Sequence, residues 1–277
     1  MTRLCPHRAA VLALAALAAL GCTPDDALRC GGGAATAPCH EVDGGRYLVL
    51  EPRLPPPGPL PAVLWFHGYG GSAVKQAAKD EFVQGLSDNG VLGILGDGLD
   101  NTWAHQGSPS SARDELAYVD AVLDDALSRY DIDEDKLWVA GFSQGGSMAW
   151  DAACYRAERF AAAFPASGAF WEPLPASCPS GPLRFRHTHG LQDTTVPMEG
   201  RPIGSWRQGD VLEGMDVRLS ANGCAAEPDR VEVDGPSTCQ IWDACDSGRD
   251  VALCLYEGGH KVPDGWLNRN LAWVGHR

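Results

Sequence analysis

The chain has 277 residues, 33 glycines, 20 prolines, ten cysteines and a formal charge of −14. That length supports one large domain with a substantial core. The acidic balance argues against nucleic acid and anionic polymers as partners and favours an uncharged substrate, besides keeping the chain soluble.

Residues 1–21 carry Arg3, a twelve-residue apolar run "AAVLALAALAAL" and Gly21 before Cys22. This is the layout of a signal peptide, and the run is too short for a mature membrane span. "ALGC" at Ala19–Cys22 resembles a bacterial lipobox, with Ala19 where leucine is favoured. It implies lipidation at Cys22; ordinary cleavage near "ALA" is the alternative. Either route exports the protein, as a freely secreted enzyme or a cell-envelope lipoprotein whose only membrane contact is its N-terminal anchor. Losing Arg3 and Arg8 takes the charge from −14 to −16.

Outside Cys5 and Cys22 the cysteines are Cys30, Cys39, Cys154, Cys178, Cys224, Cys239, Cys245 and Cys254, an even set with no CxxC pair and no zinc spacing. Disulfides are therefore expected, and no metal. Residues 22–45 show no period and read as a tether in which Cys30 and Cys39 could close a small loop; the folded domain is expected over 46–277.

From "GRYLVLEP" onward strand-like and helix-like runs alternate: "AVLWFHG", "SAVKQAAKDEFVQGLSDNG", "VLGILGDG", then "SARDELAYVDAVLDDALSRY". In the last, Leu116, Val119, Leu123, Leu127 and Tyr130 recur at helical spacing with Ser111 as the expected N-cap. "KLWVAGFS", "FAAAFPASG" and "PLRFRHTHG" follow as buried strands. The pattern predicts an α/β fold, a mostly parallel sheet with helices on both faces and reactive residues beyond the strands' carboxyl ends. After Asp193, "STCQIW" and "DVALCLYEGG" predict an antiparallel hairpin. If 238–243 pairs with 250–255, Cys239 faces Cys254, where a bridge can form.

Gly141-Phe142-Ser143-Gln144-Gly145 fits G-x-S-x-G, with an apolar run before it and a helix-prone run after it. This strand–turn–helix setting is the one a nucleophile elbow needs. Serine requires a histidine to take its proton and a carboxylate to hold that histidine. Asp193 in "HTHGLQDTTVP" and His260 in "YEGGHKVP" each follow a predicted strand, in the order serine, acid, histidine. His187 and His189 share one strand face and are read as a packed or hydrogen-bonded pair beneath the site rather than as metal ligands. The oxyanion donors are expected to be the amides of Gln144 and Tyr69, the latter in "HGYGGS". Gly68–Ala73 also fits G-x-G-x-x-A, but export and disulfides argue against a nicotinamide cofactor, and none is expected.

"HGYGGS", "AYVDAVLDDALSRYDIDEDKLWVAGFSQGGSMAW", "HGLQDTTVP", "NGC" and "EGGHKVPDGW" resemble, in order and spacing, the α/β-hydrolase esterases of the polyhydroxybutyrate depolymerase or feruloyl esterase-like kind, from about Arg46 to Trp266. The resemblance implies Ser143 as nucleophile, Asp193 as acid, His260 as base, and the pairs Cys154–Cys178 and Cys224–Cys245. Lys261-Val262 stands where many relatives carry Thr-Trp, so a substrate-facing aromatic is absent. The family spans polyesters, phenolic esters and acetylated sugars. The expected activity is hydrolysis of an uncharged, even polymeric, ester through an acyl-enzyme. The alternatives are an acyltransferase with the same triad and a non-catalytic surface-binding lipoprotein. Trp103, Phe170, Trp171 and Trp266, with Tyr69, are expected to line the cleft. The short "AFWEPLPASCPSGP" between two strands leaves no room for a lid domain.

Overall fold

The computed structural model describes residues 29–30 and 37–275. The expected signal peptide, Cys22 and most of the expected tether lie outside the described residues. Thirteen strands are present among the described residues. The first five are β1 (Arg29–Cys30), β2 (Ala37–Val42), β3 (Gly45–Leu50), β4 (Leu60–Phe66) and β5 (Leu92–Gly96). They are followed by β6 (Ile132–Phe142), β7 (Ala162–Ala166), β8 (Arg184–Gly190), β9 (Arg201–Ile203) and β10 (Trp206–Gln208). The last are β11 (Arg230–Asp234), β12 (Ser237–Trp242) and β13 (Val251–Tyr256).

Eleven of them form one sheet in the order β1-β2-β3-β5-β4-β6-β7-β8-β13-β12-β11. The central run from β5 to β13 is parallel and both flanks are antiparallel. β9 and β10 form a separate small hairpin. Because β2 pairs with β3 in the main sheet, the folded part starts before the expected boundary at Arg46. "APCHEV" lacks the alternation that would mark it as a strand; its place at the sheet is fixed by pairing and by the Cys30–Cys39 bridge.

Side-chain alternation in β4 divides the core. Ala62, Leu64 and Phe66 face one apolar layer, with α3 (Glu115–Arg129), α4 (Gln144–Tyr155) and α5 (Val211–Asn222). Val63 and Trp65 face the other, with α1 (Ala73–Ala77), α2 (Asp80–Asp88) and α6 (Trp266–Gly275). This is the period of two expected for a strand covered on both faces. The single helix expected after "HGYGG" is two, α1 and α2. In α3, Val119 and Leu123 are buried, but the cap is Asp114, not Ser111: its Oδ1 accepts from the Leu116 and Ala117 amides. That aspartate satisfies two of the four amides a helix start leaves unpaired.

The predicted hairpin is present as β12–β13, with Cys239 opposite Cys254. The disulfides are Cys30–Cys39, Cys154–Cys178, Cys224–Cys245 and Cys239–Cys254.

Candidate active site

Ser143 links β6 to α4 with φ 59° and ψ −126°, a positive-φ conformation that a non-glycine residue occupies at a cost of about 1–3 kcal/mol. The turn closes only because its neighbours lack side chains. A Cβ on Gly141 would lie 2.1 Å from the Gly145 carbonyl oxygen, and one on Gly145 would lie 2.1 Å from that of Phe66. The two flanking glycines of G-x-S-x-G are therefore steric requirements of the turn, which lifts the Ser143 hydroxyl above the strand ends.

β8 and β13 deliver the other two side chains to the same edge. His260 Nε2 lies 2.7 Å from Ser143 Oγ, and His260 Nδ1 lies 2.7 Å from Asp193 Oδ2. Asp193 Oδ1 also accepts from the Thr195 and Val196 amides, at 2.9 and 2.8 Å. Burial pushes the Asp193 carboxyl upward, but the hydrogen bond with His260 and the two amides outweigh it. The group is held below the ordinary carboxylate value and stays ionised. The Phe142 ring lies 4.9 Å from the imidazole of His260 and limits its movement.

His187 and His189 lie beneath this line, both fully buried. Trp150 Nε1 donates to His187 Nδ1. With Nδ1 accepting, His187 Nε2 donates to His189 Nδ1 across 2.8 Å, and His189 Nε2 donates to the Val196 carbonyl across 2.7 Å. Only the neutral Nε2–H tautomers satisfy this directed chain. Burial lowers the pKa of both rings, in keeping with that neutrality.

Sequence reasoning missed the bracing of the loop after β4. The neutral His67 ring accepts from the Gly98 amide and donates to the Gly68 carbonyl, while its own carbonyl accepts from Trp103 Nε1 at 2.7 Å. The Gln144 carboxamide bonds to Thr102 Oγ1 and the Trp103 carbonyl. These contacts brace the loop that leads to Tyr69 and the Gln144 side chain that follows Ser143, all three residues lining one recess. The Gln144 amide, first in α4, has no helical partner and points outward with the positive end of the helix.

Two recesses meet at Ser143 and His260. The larger, about 520 Å³, is lined by Tyr69, Ser143, Gln144, Trp171, Arg201 and Ile203 among others. The smaller, about 330 Å³, is lined by Phe142, His260, Lys261, Val262 and Trp266. Trp103 and Phe170 belong to neither. Both are buried in the core, Trp103 edge-on to Phe66 and Phe170 edge-on to Trp150. Their expected place in the cleft is corrected accordingly: the Trp103 indole N–H is consumed by a backbone carbonyl. Trp266 is largely core, T-shaped on Trp65, and presents one edge to the smaller recess. No lid domain separates β7 from β8; the wall of the larger recess comes instead from the β9–β10 hairpin, which carries Arg201, Ile203 and Gln208. Among the described residues no group of three or more His, Cys, Asp or Glu side chains is arranged to hold a metal ion.

This sheet, with a serine elbow and an acid and histidine on later strand ends, is the architecture of the α/β-hydrolases. In sequence the chain is 24% identical to feruloyl esterase C of Emericella nidulans over 229 residues, covering 80% of this chain and 78% of that one. It is 25% identical to feruloyl esterase B of Piromyces equi over 219 residues, 74% of this chain and 40% of that one. Among solved structures it superposes on the acetyl xylan esterase of Aspergillus awamori with a TM-score of 0.62 at 16% identity, covering 83% and 93% of the two chains. No family model matches the chain. The fold is that of the α/β-hydrolases and the sequence is similar to feruloyl esterases at 24–25% identity, which together support a carboxylic-ester hydrolase.

Proposed function

We propose that the protein is an exported serine esterase working through an acyl-enzyme, with Ser143 as nucleophile, His260 as base and Asp193 as the acid that orients it. The observation that carries this reading is the unbroken line Asp193 Oδ2–His260 Nδ1, His260 Nε2–Ser143 Oγ, both links 2.7 Å, on a serine held at positive φ. His260 Nε2 takes the Ser143 proton as Oγ attacks the ester carbonyl, and Asp193 stabilises the resulting imidazolium. The oxyanion is met by the Gln144 and Tyr69 amides. His260 then returns the proton to the departing alcohol. Water, deprotonated by the same ring, releases the acid and restores Ser143.

His260 opens onto the smaller recess and the oxyanion donors onto the larger. The alcohol therefore leaves on the Trp266 side, and the acyl group occupies the larger recess beside Trp171 and Ile203. A largely apolar wall without a lid suits feruloyl, acetyl or polyhydroxyalkanoate-type esters, including polymeric ones. The four disulfides among the described residues support an oxidising compartment outside the cytoplasm, reached through the signal peptide at 1–21, with Cys22 as the lipidation site of an envelope lipoprotein.

A fluorophosphonate probe is expected to label Ser143 stoichiometrically and stop hydrolysis of p-nitrophenyl acetate. Ser143→Ala is expected to lower turnover by about 10⁴-fold or more with the fold intact. Near-wild-type activity in that variant would remove the nucleophile assignment.

A further inference from the structure

The acidity of the whole chain points to an uncharged ester, but one side chain in the larger recess reverses that expectation. Among the described residues Arg201 is the only charged one lining it, the rest being apolar or neutral polar. No carboxylate pairs with it among the described residues. Its Nε donates to Gln208 Oε1 at 3.1 Å across the β9–β10 register, and Gln208 is itself buried and bridged to Trp171. The same hairpin carries Arg207, which lies outside the recess and is paired with Glu172 at 2.8 Å. One arginine of the hairpin is thus neutralised and the other is held by a neutral amide, with both terminal nitrogens of its guanidinium left for another partner.

We infer that Arg201 is a specificity residue for esters whose acyl group ends in a carboxylate, that is, half-esters of dicarboxylic acids. This rests on the proposed esterase reading and on the acyl group lying in the larger recess. A guanidinium partly desolvated beside Trp171 and Ile203 gains most from a ligand that supplies both charge and two parallel acceptors, and a carboxylate does so. Gln208 fixes the Nε edge, so less side-chain freedom is lost when the other edge binds. The distributed acidic field does not prevent this, because surface charges beyond about 8 Å are screened at physiological salt while the partly buried contact is not.

The test compares 4-nitrophenyl hydrogen adipate with its methyl diester, and 4-acetoxybenzoate with methyl 4-acetoxybenzoate, so that the carboxylate sits on the acyl side in one pair and on the alcohol side in the other. Wild-type protein is expected to favour the adipate half-ester over its methyl diester in kcat/KM, mainly through KM. In Arg201→Gln that ratio is expected to fall about tenfold or more, with Arg201→Lys between the two. The acetoxybenzoate ratio is expected to move less than twofold. An adipate ratio unchanged in Arg201→Gln, or a shift confined to or equal in the acetoxybenzoate pair, overturns the inference and leaves the esterase reading standing. Failure to hydrolyse any of the four esters, with no labelling of Ser143, overturns both.

Discussion

His189 and Val196 are joined by a 2.7 Å hydrogen bond from the imidazole Nε2 to the backbone carbonyl, while the Val196 amide donates to Asp193 at 2.8 Å. One peptide segment thus links the buried histidine pair to the carboxylate that orients His260. His189→Ala is expected to leave the Val196 carbonyl and the His187 Nε2–H unpaired and to open a cavity, lowering stability by about 2–4 kcal/mol. The loss in His187→Ala/His189→Ala should be smaller than the sum of the single losses, because the two share one chain of hydrogen bonds. Urea unfolding of the three variants measures this, and simple additivity would show that the chain does not act as a unit.

Stability is expected to fall as the pH drops below about 6.5. Burial holds His67, His187 and His189 below their ordinary pKa, and brings His105 down to about 4. Since the unfolded chain takes up these protons first, each ring contributes stability that is full above about 6.5 and is lost towards its folded pKa, at about 1.4 kcal/mol per pH unit. Asp151 runs the other way. Burial raises its carboxyl to about 8 despite the Gln106 amide that donates to it, so its contribution falls as the pH rises from about 4 to about 8. Asp151→Asn is expected to steepen the acid limb and flatten the curve between pH 7 and 8. Denaturation midpoints from pH 5 to 9 decide it; parallel curves for the two proteins would exclude the assignment.

Trp103→Phe removes the indole N–H from the His67 carbonyl and leaves space beside Phe66 and Tyr118. A loss of about 2–3 kcal/mol is expected, visible as a lower thermal midpoint. A variant as stable as wild type but altered only in substrate preference would return this tryptophan to the cleft.

Replacing Cys239 and Cys254 by serine cuts a cross-link between β12 and β13 that closes a 15-residue separation. A stability loss of about 3 kcal/mol is expected, and non-reducing peptide maps of the wild type should return the two cysteines joined. β13 leads directly to His260, so the same variant should show faster amide exchange at that strand end.

The parts of the site written in short contiguous stretches were legible in the sequence. "GFSQG" must make a tight turn whatever surrounds it, and the runs before Asp193 and His260 mark strand ends. The β12–β13 pairing was legible because the register that aligns the strands also aligns two cysteines. Trp103, Phe170 and Trp171 were not separable, because all three are aromatic, buried and near the same loops; which one lines the recess is decided by packing, and for Trp103 also by the His67 carbonyl that accepts its indole N–H. Nor was Arg201. Its strand has three residues, and its neighbours Gln208 and Trp171 reach it by pairings that no periodicity announces. β2 was hidden for the same reason, being a strand through its partner rather than its composition.

The division of space around Ser143 also bears on what can follow the first half of the reaction. In the proposed acyl-enzyme reaction, once the alcohol has left past Trp266 the groove beside His260 is vacant while the acyl chain still fills the other side. Any hydroxyl compound small enough to occupy the vacated groove then competes with water for the same carbonyl. On that reading the hydrolysis-to-transfer ratio is governed by Val262, Lys261 and Trp266 rather than by the residues that grip the acyl chain, so the two preferences can drift independently as the protein diverges.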